Sequence, residues 1–362
     1  MQSRITMSKE IKKRTSQKCT TEFLKYSVAA DISKDKFDAC ISVIDKSQVV
    51  KVIASREFDN NPSGFNVFDV WQKHHCKVDI PVVFVMEATG IYYEKFAWFL
   101  HRKGYYLSVV LPNKSKKYMQ SLGLKSKNDK IDARGLSRMG GEQNLSRWMA
   151  PKESIMRLRD VTRERESLQE AKTRFNNQLK AYVCAEFVNE KIIGHLHEVI
   201  ALLDQKIDET EQMIQELILS DKELKEKVDR ISEIKGVKAI TLATILAETN
   251  CFEAFDNQRQ LVSFAGYDVV ENQSGKHVGK TKISKKGNAH IRRILHMAAF
   301  NVVSYGETKF VDLYERVYAR TKIKMKGYVA VQRKLLCLIY ILWKNEVDYD
   351  RNYHVEHPVM LS

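Results

Sequence analysis

Between Lys152 and Arg230 the chain carries one glycine, Gly194, and no proline. So long a stretch without the usual turn residues cannot be a run of short strands and tight turns. It is dense in Glu, Lys, Arg, Gln and Leu, and apolar residues recur at helical spacing: Ile200, Leu203, Ile207, Ile214 and Leu217. The pattern predicts two long helices, antiparallel or coiled-coil, broken near Asn189–Gly194. Their mixed charges suit a spacer or oligomerisation arm better than a DNA clamp. This connector, 151–230, divides the 362-residue chain. Residues 25–150 form one expected domain and 231–346 another, with a basic arm at 1–24 and a polar tail at 347–362.

The N-terminal domain reads as α/β. Three β-branched runs at 25–33, 36–44 and 48–58 predict an antiparallel meander. Asn61-Pro62-Ser63-Gly64 breaks the pattern and opens a helix near 63–76. Ile80–Met86 is a continuous apolar run, as in a strand buried on both faces. A helix at 91–103 ends at Gly104, and a further buried strand at 105–111 ends at Pro112. Three strands followed by helix–strand–helix–strand suit a mixed sheet of the ribonuclease-H-like kind. Beyond the connector the chain reads as all-α, interrupted by a loop-rich insert at 266–287. Residues 234–246, IKGVKAITLATIL, resemble a helix-hairpin-helix, with Lys238 where a second hairpin glycine would stand.

Sixty Lys and Arg face 45 Asp and Glu, a formal net charge of +15. That excess favours a polyanionic partner, most commonly nucleic acid. The six cysteines form no CxxC pair and no zinc spacing, which predicts free, mostly buried thiols in a reducing cytosol. No apolar run approaches a membrane span.

Four acids have a reason to lie together. Asp31 ends the first strand and Glu87 ends a central one, and α/β sheets build sites at strand ends. Asp129 and Asp132 are three apart on a predicted helix at 128–140, so both project from one face. Four such charges repel unless a divalent cation lies among them. Mg²⁺ prefers oxygen ligands, and two ions about 4 Å apart can hold both oxygens of a phosphodiester in transfer. Lys125, Lys127 and Lys130 add the positive flank that phosphate binding needs. Taken singly, Asp31 reads as a turn cap, Glu87 as a lysine partner and Asp129 as a helix N-terminal charge.

The segment ENQSGKHVGKTKISKKGN, 271–288, sets Ser274 in a glycine-punctuated basic loop with Lys276, Lys280, Lys285 and Lys286. A helix carrying Arg292 and Arg293 follows. Gly275, Gly279 and Gly287 would let backbone approach phosphate. A serine here can attack phosphorus only if activated. His277 is close in sequence, and Ser274 taken alone reads equally as a turn residue.

In order and spacing these segments resemble the DEDD insertion-sequence transposases, also described as bridge-RNA-guided recombinases. The resemblance runs over roughly 25–345. It rests on ADISK around Asp31 (with Ala30 where glycine is usual), MEATG at Glu87, and KNDKIDAR at Asp129 and Asp132. IKGV, LVSFAGY, QSGK and ISKKGNAHIRR extend it through the C-terminal half. It implies a RuvC-like domain, a coiled-coil connector and a C-terminal transposase domain. It implies that Asp31, Glu87, Asp129 and Asp132 bind Mg²⁺, with Mn²⁺ able to substitute. Ser274 would attack DNA and form a phosphoserine link, with acids of one subunit working with the serine of another. A structured guide RNA would pair with donor and target DNA, and the chain would act as a dimer or tetramer in the prokaryotic cytoplasm. The other reading is a Holliday-junction resolvase with the same acids and a water nucleophile; a non-catalytic nucleic-acid binder would not need four grouped acids.

Overall fold

The computed structural model describes residues 22–123, 129–270 and 282–351, and the backbone alone of 273–274 and 277–278. The chain divides into two compact units between Ala150 and Pro151.

The first unit is built on a five-stranded mixed sheet in the order β3-β2-β1-β4-β5. β1 (Phe23–Ile32), β2 (Lys36–Asp45) and β3 (Val50–Asp59) form an antiparallel meander. β4 (Val82–Glu87) and β5 (Tyr106–Val110) run parallel to β1 on its other side. Four helices connect and cover the strands: α1 (Pro62–His75), α2 (Glu94–Arg102), α3 (Pro112–Ser121) and α4 (Asp129–Glu142). Asn61 caps α1, its side chain accepting from the Gly64 amide at 2.9 Å, and Pro62 fits the first turn because that position needs no N–H donor. Pro112 acts likewise at the start of α3. Sequence reading took Pro112 only as the end of a strand, because the lysine-rich residues after it carry little apolar periodicity.

Side chains alternate across a strand, so each residue's parity assigns its face. Tyr26, Val28, Ala30 and Ile32 of β1 join Phe65 and Phe68 of α1 and Phe96, Ala97 and Leu100 of α2 in one core. Its phenylalanines interlock, with Phe37 and Phe96 centred 4.5 Å apart and Phe68 edge-on to Phe96 at 5.0 Å. Such pairs add about 0.5–1.5 kcal/mol each beyond area burial. The opposite parity, Ala29 of β1, Val85 of β4 and Val110 of β5, packs on Leu136 and Met139 of α4. The central strands are therefore covered on both faces, which explains the nearly unbroken apolar run of β4, while the edge strand β3 is largely exposed.

α4 sits unusually close to the sheet. A Cβ added at Gly140 would lie 2.2 Å from Ser27 Oγ and 2.5 Å from Val85 Cγ2. Ser137 Oγ donates to the Ser27 carbonyl at 2.8 Å. Another glycine, Gly135, admits the Met119 side chain of α3.

The second unit is helical. α5 (Glu153–Val183) and α6 (Glu190–Ser220), 31 residues each, pack along one another and are bridged by Arg165–Glu211 at 2.6 Å and by Lys172–Asp204. The break lies at 184–189, and Asn189 caps α6 by accepting from the Lys191 amide at 3.1 Å. Gly194 is inside α6, where an exposed glycine costs only about 1 kcal/mol and need not end a helix. A further break is set by Asp221, whose side chain caps α7 (Lys222–Ser232) through the Leu224 amide.

α8 (Ala239–Thr249), α9 (Gln258–Phe264), α10 (Ala289–Ser304), α11 (Thr308–Thr321) and α12 (Lys324–Asn345) complete the unit. Between α9 and α10 lie four two-residue strands: β6 (Val269–Val270) pairs with β9 (Lys282–Ile283), and β7 (Gln273–Ser274) with β8 (His277–Val278). One core joins Leu242, Ile245 and Leu246 to Leu295, Ala299, Leu335 and Ile339, and takes in Ile155, Leu158, Ile214 and Ile218 from one end of the long helices. The turn between α7 and α8 needs Gly236, with φ +96°, because a Cβ there would meet the Val302 amide at 2.8 Å.

The five described cysteines are free; Cys40 and Cys76 are buried, and Cys184 is exposed. Among the described residues no helix is long and apolar enough to cross a membrane.

The close seating of α4 yields a test. Gly140→Ala should destabilise the first unit by about 1–3 kcal/mol, the usual cost of overpacking. Denaturant unfolding of the full chain would read this as a lower midpoint for one transition; an unchanged midpoint would mean that α4 lies further from the sheet.

Candidate functional site

Asp31 and Glu87 are set by strand parity. Asp31 has the parity of Ala29 and Glu87 that of Val85, so both belong to the sheet face covered by α4. They stand one step beyond Ala30 and Met86, the last positions at which β1 and β4 pair with each other. Asp129 and Asp132 occupy the first turn of α4. An acidic first turn is favourable by itself, because the N-terminal amides there are unpaired and the helix dipole is positive.

The structure brings all four acids into one electrostatic neighbourhood. The Asp31 carboxyl is pushed up to about 7, first by burial and then by the charges of Asp132, Asp129, Glu87 and Asp38. Ser115 of α3 donates to Glu87 Oε2 at 2.5 Å and holds that carboxylate in place. Among the described residues, neither Asp31, Glu87 nor Asp129 forms an ion pair with a cationic side chain. No set of three or more His, Cys, Asp or Glu side chains among them converges tightly on a single point. The donor chemistry nevertheless fits a hard divalent cation, since every member offers carboxylate oxygens and the charges of the other three act together on Asp31.

Asp38 is the member that sequence reading missed. It faces Asp31 directly across the β1–β2 ladder, is 7% exposed, and its Oδ1 has no hydrogen-bond partner. In β2 it has the parity of Lys36, Cys40 and Ser42, opposite Phe37, Ala39, Ile41 and Val43, so alternation alone reads it as a polar-face acid and only the strand register sets it against Asp31. Of the flanking lysines, Lys130 is exposed on α4, while Lys125 and Lys127 lie outside the described residues.

In the second unit, Ser274 stands opposite His277 in the β7–β8 pair, with Gln273 opposite Val278. Lys276 and Lys280 lie outside the described residues. The segment after the hairpin is tightly cinched. Gly287 lies where a Cβ would be 2.4 Å from the Phe264 carbonyl and 2.6 Å from the Gly266 amide, so its close approach is to the protein's own backbone. Arg292 Nη1 donates to the carbonyls of Ala265, Gly287 and Asn288 at 2.9–3.0 Å, so one of its three guanidinium nitrogens ties this segment together. Arg293 pairs with Glu166 and, at 2.6 Å, with Glu170. Lys285 and Lys286 are left exposed, Lys285 with φ +54°.

Asn288 caps α10 through the Ile291 amide and also donates to Glu248 Oε2 at 2.6 Å. Glu248 is buried, and Arg163 of α5 grips it with two hydrogen bonds at 2.7 and 3.0 Å. Burial raises the Glu248 carboxyl, but the Arg163 hydrogen bonds and charge outweigh it, aided by Asn288 and His290, and the net shift is downward.

Comparison with known proteins decides the family. A family model described as DEDD_Tnp_IS110 transposase matches residues 28–187, and one described as Transposase IS116/IS110/IS902 family matches 228–315. The chain belongs to the IS116/IS110/IS902 transposases. This transposase is 28% identical over 332 residues to the pilin gene-inverting protein of Moraxella bovis, covering 90% of the chain and 98% of that protein. The corresponding Moraxella lacunata protein gives the same figures. The transposase for insertion sequence element IS1111A of Coxiella burnetii is 22% identical over 295 residues, 73% of this chain and 78% of that one. Among solved structures, T. thermophilus RuvC in complex with a Holliday junction substrate aligns at 10% identity and TM-score 0.23, over 31% of this chain and 90% of its own. An Aquifex aeolicus Ppx/GppA protein aligns at 10% identity and TM-score 0.22, over 90% and 92%. At those scores neither structure adds to the reading.

Two outcomes follow from the site's charges. Because the Asp31 carboxyl is raised from 3.8 to about 7 on folding, its proton stabilises the fold at low pH, and that stability is lost as pH rises through 7. In chelator at pH 8, Asp31→Asn should therefore raise the melting midpoint of the transposase, while wild type alone gains stability on adding Mg²⁺. A midpoint for Asp31→Asn below that of wild type would mean the acids are not in mutual repulsion. Separately, Arg163→Ala leaves Glu248 buried with Asn288 as its remaining partner, and should cost on the order of 3 kcal/mol in denaturant unfolding.

Proposed function

We propose that this transposase cuts and exchanges DNA strands through Ser274, with Asp31, Glu87, Asp129 and Asp132 as a Mg²⁺ site in which Mn²⁺ can substitute. The observation that carries the reading is the gathering of two strand-end acids and the acidic first turn of α4 on one face of the sheet. That sheet, three antiparallel strands followed by two parallel ones, fits a ribonuclease-H-like, RuvC-like domain. α5 and α6 would serve as a coiled-coil connector between copies of the chain in a dimer or tetramer.

When bound, the cation supplies Lewis-acid polarisation of a phosphodiester and offsets its negative charge. The chain's own residues do the rest. The carboxylates would hold that cation, Ser115 steadies Glu87, and the exposed Lys130, Lys285 and Lys286, with Lys125, Lys127, Lys276 and Lys280, neutralise the flanking backbone. Ser274 Oγ then forms a bond to phosphorus as the P–O bond to the departing strand breaks. The serine proton is lost and the departing oxygen is protonated. The phosphoserine ester keeps the bond energy, so a strand hydroxyl can reverse the step and rejoin DNA without a nucleotide cofactor. The relatives named as a pilin gene-inverting protein and an insertion-sequence transposase are consistent with such break-and-rejoin chemistry. A structured RNA from the element's non-coding end would choose donor and target by base pairing.

The deciding experiment incubates the purified chain with Mg²⁺, that RNA and end DNA, and looks for a denaturation-resistant protein–DNA adduct. Wild type should form it, while Ser274→Ala and Asp31→Ala should not. Cleavage that persists in Ser274→Ala would instead assign a water nucleophile, as in a junction resolvase.

A further inference from the structure

Four acids, not three, act by their charge on Asp31, and among the described residues the fourth of them, Asp38, has an Oδ1 with no hydrogen-bond partner. Asp38 of β2 lies directly opposite Asp31 in the antiparallel register, and opposite Glu57 of β3 on its other side. Residues so paired share a sheet face, with Cβ atoms roughly 4.5–5.5 Å apart. Asp38 therefore points to the same side as Asp31, toward the face that α4 covers.

A buried acid at a purely structural position is normally served by a cation or by backbone amides. Among the described residues neither serves Asp38. It is more than nine-tenths buried, and its Oδ1 has no hydrogen-bond partner. Lys36, the nearest lysine on its own strand, is taken by Glu57 at 2.6 Å. Lys130 on α4 is close enough to lower the Asp38 carboxyl by its charge, but forms no ion pair with it among the described residues. Burial and the Glu57 charge act the other way and raise it overall. Glu57 is exposed and neutralised; Asp38 is enclosed and is not.

We propose that Asp38 is a fifth carboxylate of the site, holding a divalent cation jointly with Asp31 across the β1–β2 ladder. The second observation beyond the acidic cluster is the orphaned, enclosed Oδ1, a ligand atom with no protein partner. This inference rests on the reading of the four acids as a cation site. It adds that the site extends over β2, so that Asp31 stands in its middle and not at its edge.

Mn²⁺ is the probe, titrated by electron paramagnetic resonance into the full-length chain without nucleic acid. Asp38→Asn keeps the shape and removes the charge. It should weaken Mn²⁺ binding tenfold or more while leaving far-ultraviolet circular dichroism unchanged, and its midpoint in chelator should equal or exceed that of wild type. Mn²⁺ affinity equal to wild type in Asp38→Asn, with Asp31→Asn abolishing binding, would overturn this inference and leave the four-acid site standing. Absence of Mn²⁺ binding in wild type would overturn both. Should Asp38→Asn fail to fold, the wild-type chain with ¹³C-labelled aspartate carboxyls decides. Mn²⁺ should broaden the Asp38 resonance along with that of Asp31, and a sharp Asp38 signal at saturation rules the proposal out.

Discussion

The seating of α4 on the sheet is the contact on which the candidate site depends. At Gly140 the helix leaves no room for a Cβ, and a serine-to-carbonyl hydrogen bond at 137 holds it against Ser27 and Val85. That same helix begins with Asp129 and Asp132, so its seating carries their charge to the strand ends where Asp31 and Glu87 stand. Hydrophobic burial of Leu136 and Met139 supplies the adhesion, and the glycine removes the obstacle. The repulsion among the acids is the opposing term, and it is borne locally by raising the Asp31 carboxyl.

The second unit solves a different problem, which is to fasten residues 282–288 ahead of α10 without a large sheet. Its devices are a buried carboxylate gripped by Arg163, a helix cap shared between Ile291 and Glu248, and an arginine that gathers three carbonyls. They fix Gly287 and Asn288, where the chain enters α10.

Much of this was legible in the residues. The three strands of the meander, the buried β4 and the long helices followed from period-two and period-3.6 patterns, because those patterns record which face meets the core. The pairing of Asp129 with Asp132 followed from helix geometry alone. Other features were not legible. α3 was missed because its residues are mostly lysine and polar, so no apolar stripe announces it. The break between the long helices, read near Asn189–Gly194, lies at 184–189, with Asn189 as the cap of the second helix and the exposed Gly194 inside it. The role of Gly287 was read as room for phosphate; the room is filled by Phe264–Gly266 of the same chain, a long-range contact that no local pattern encodes. Asp38 escaped notice because only the β1–β2 register reveals that it faces Asp31.

The chain Arg163–Glu248–Asn288 has a mechanical consequence. Arg163 belongs to a helix of 31 residues, roughly 46 Å long at 1.5 Å per residue, while Asn288 begins the helix that anchors the basic loop. Three hydrogen bonds, all on one enclosed carboxylate, connect them. A slide or twist of the long helix cannot be absorbed there without stripping a charge of its partners. The helix is thus coupled to the loop as a rod is to a latch, and a load applied far along it is delivered where the loop is fastened.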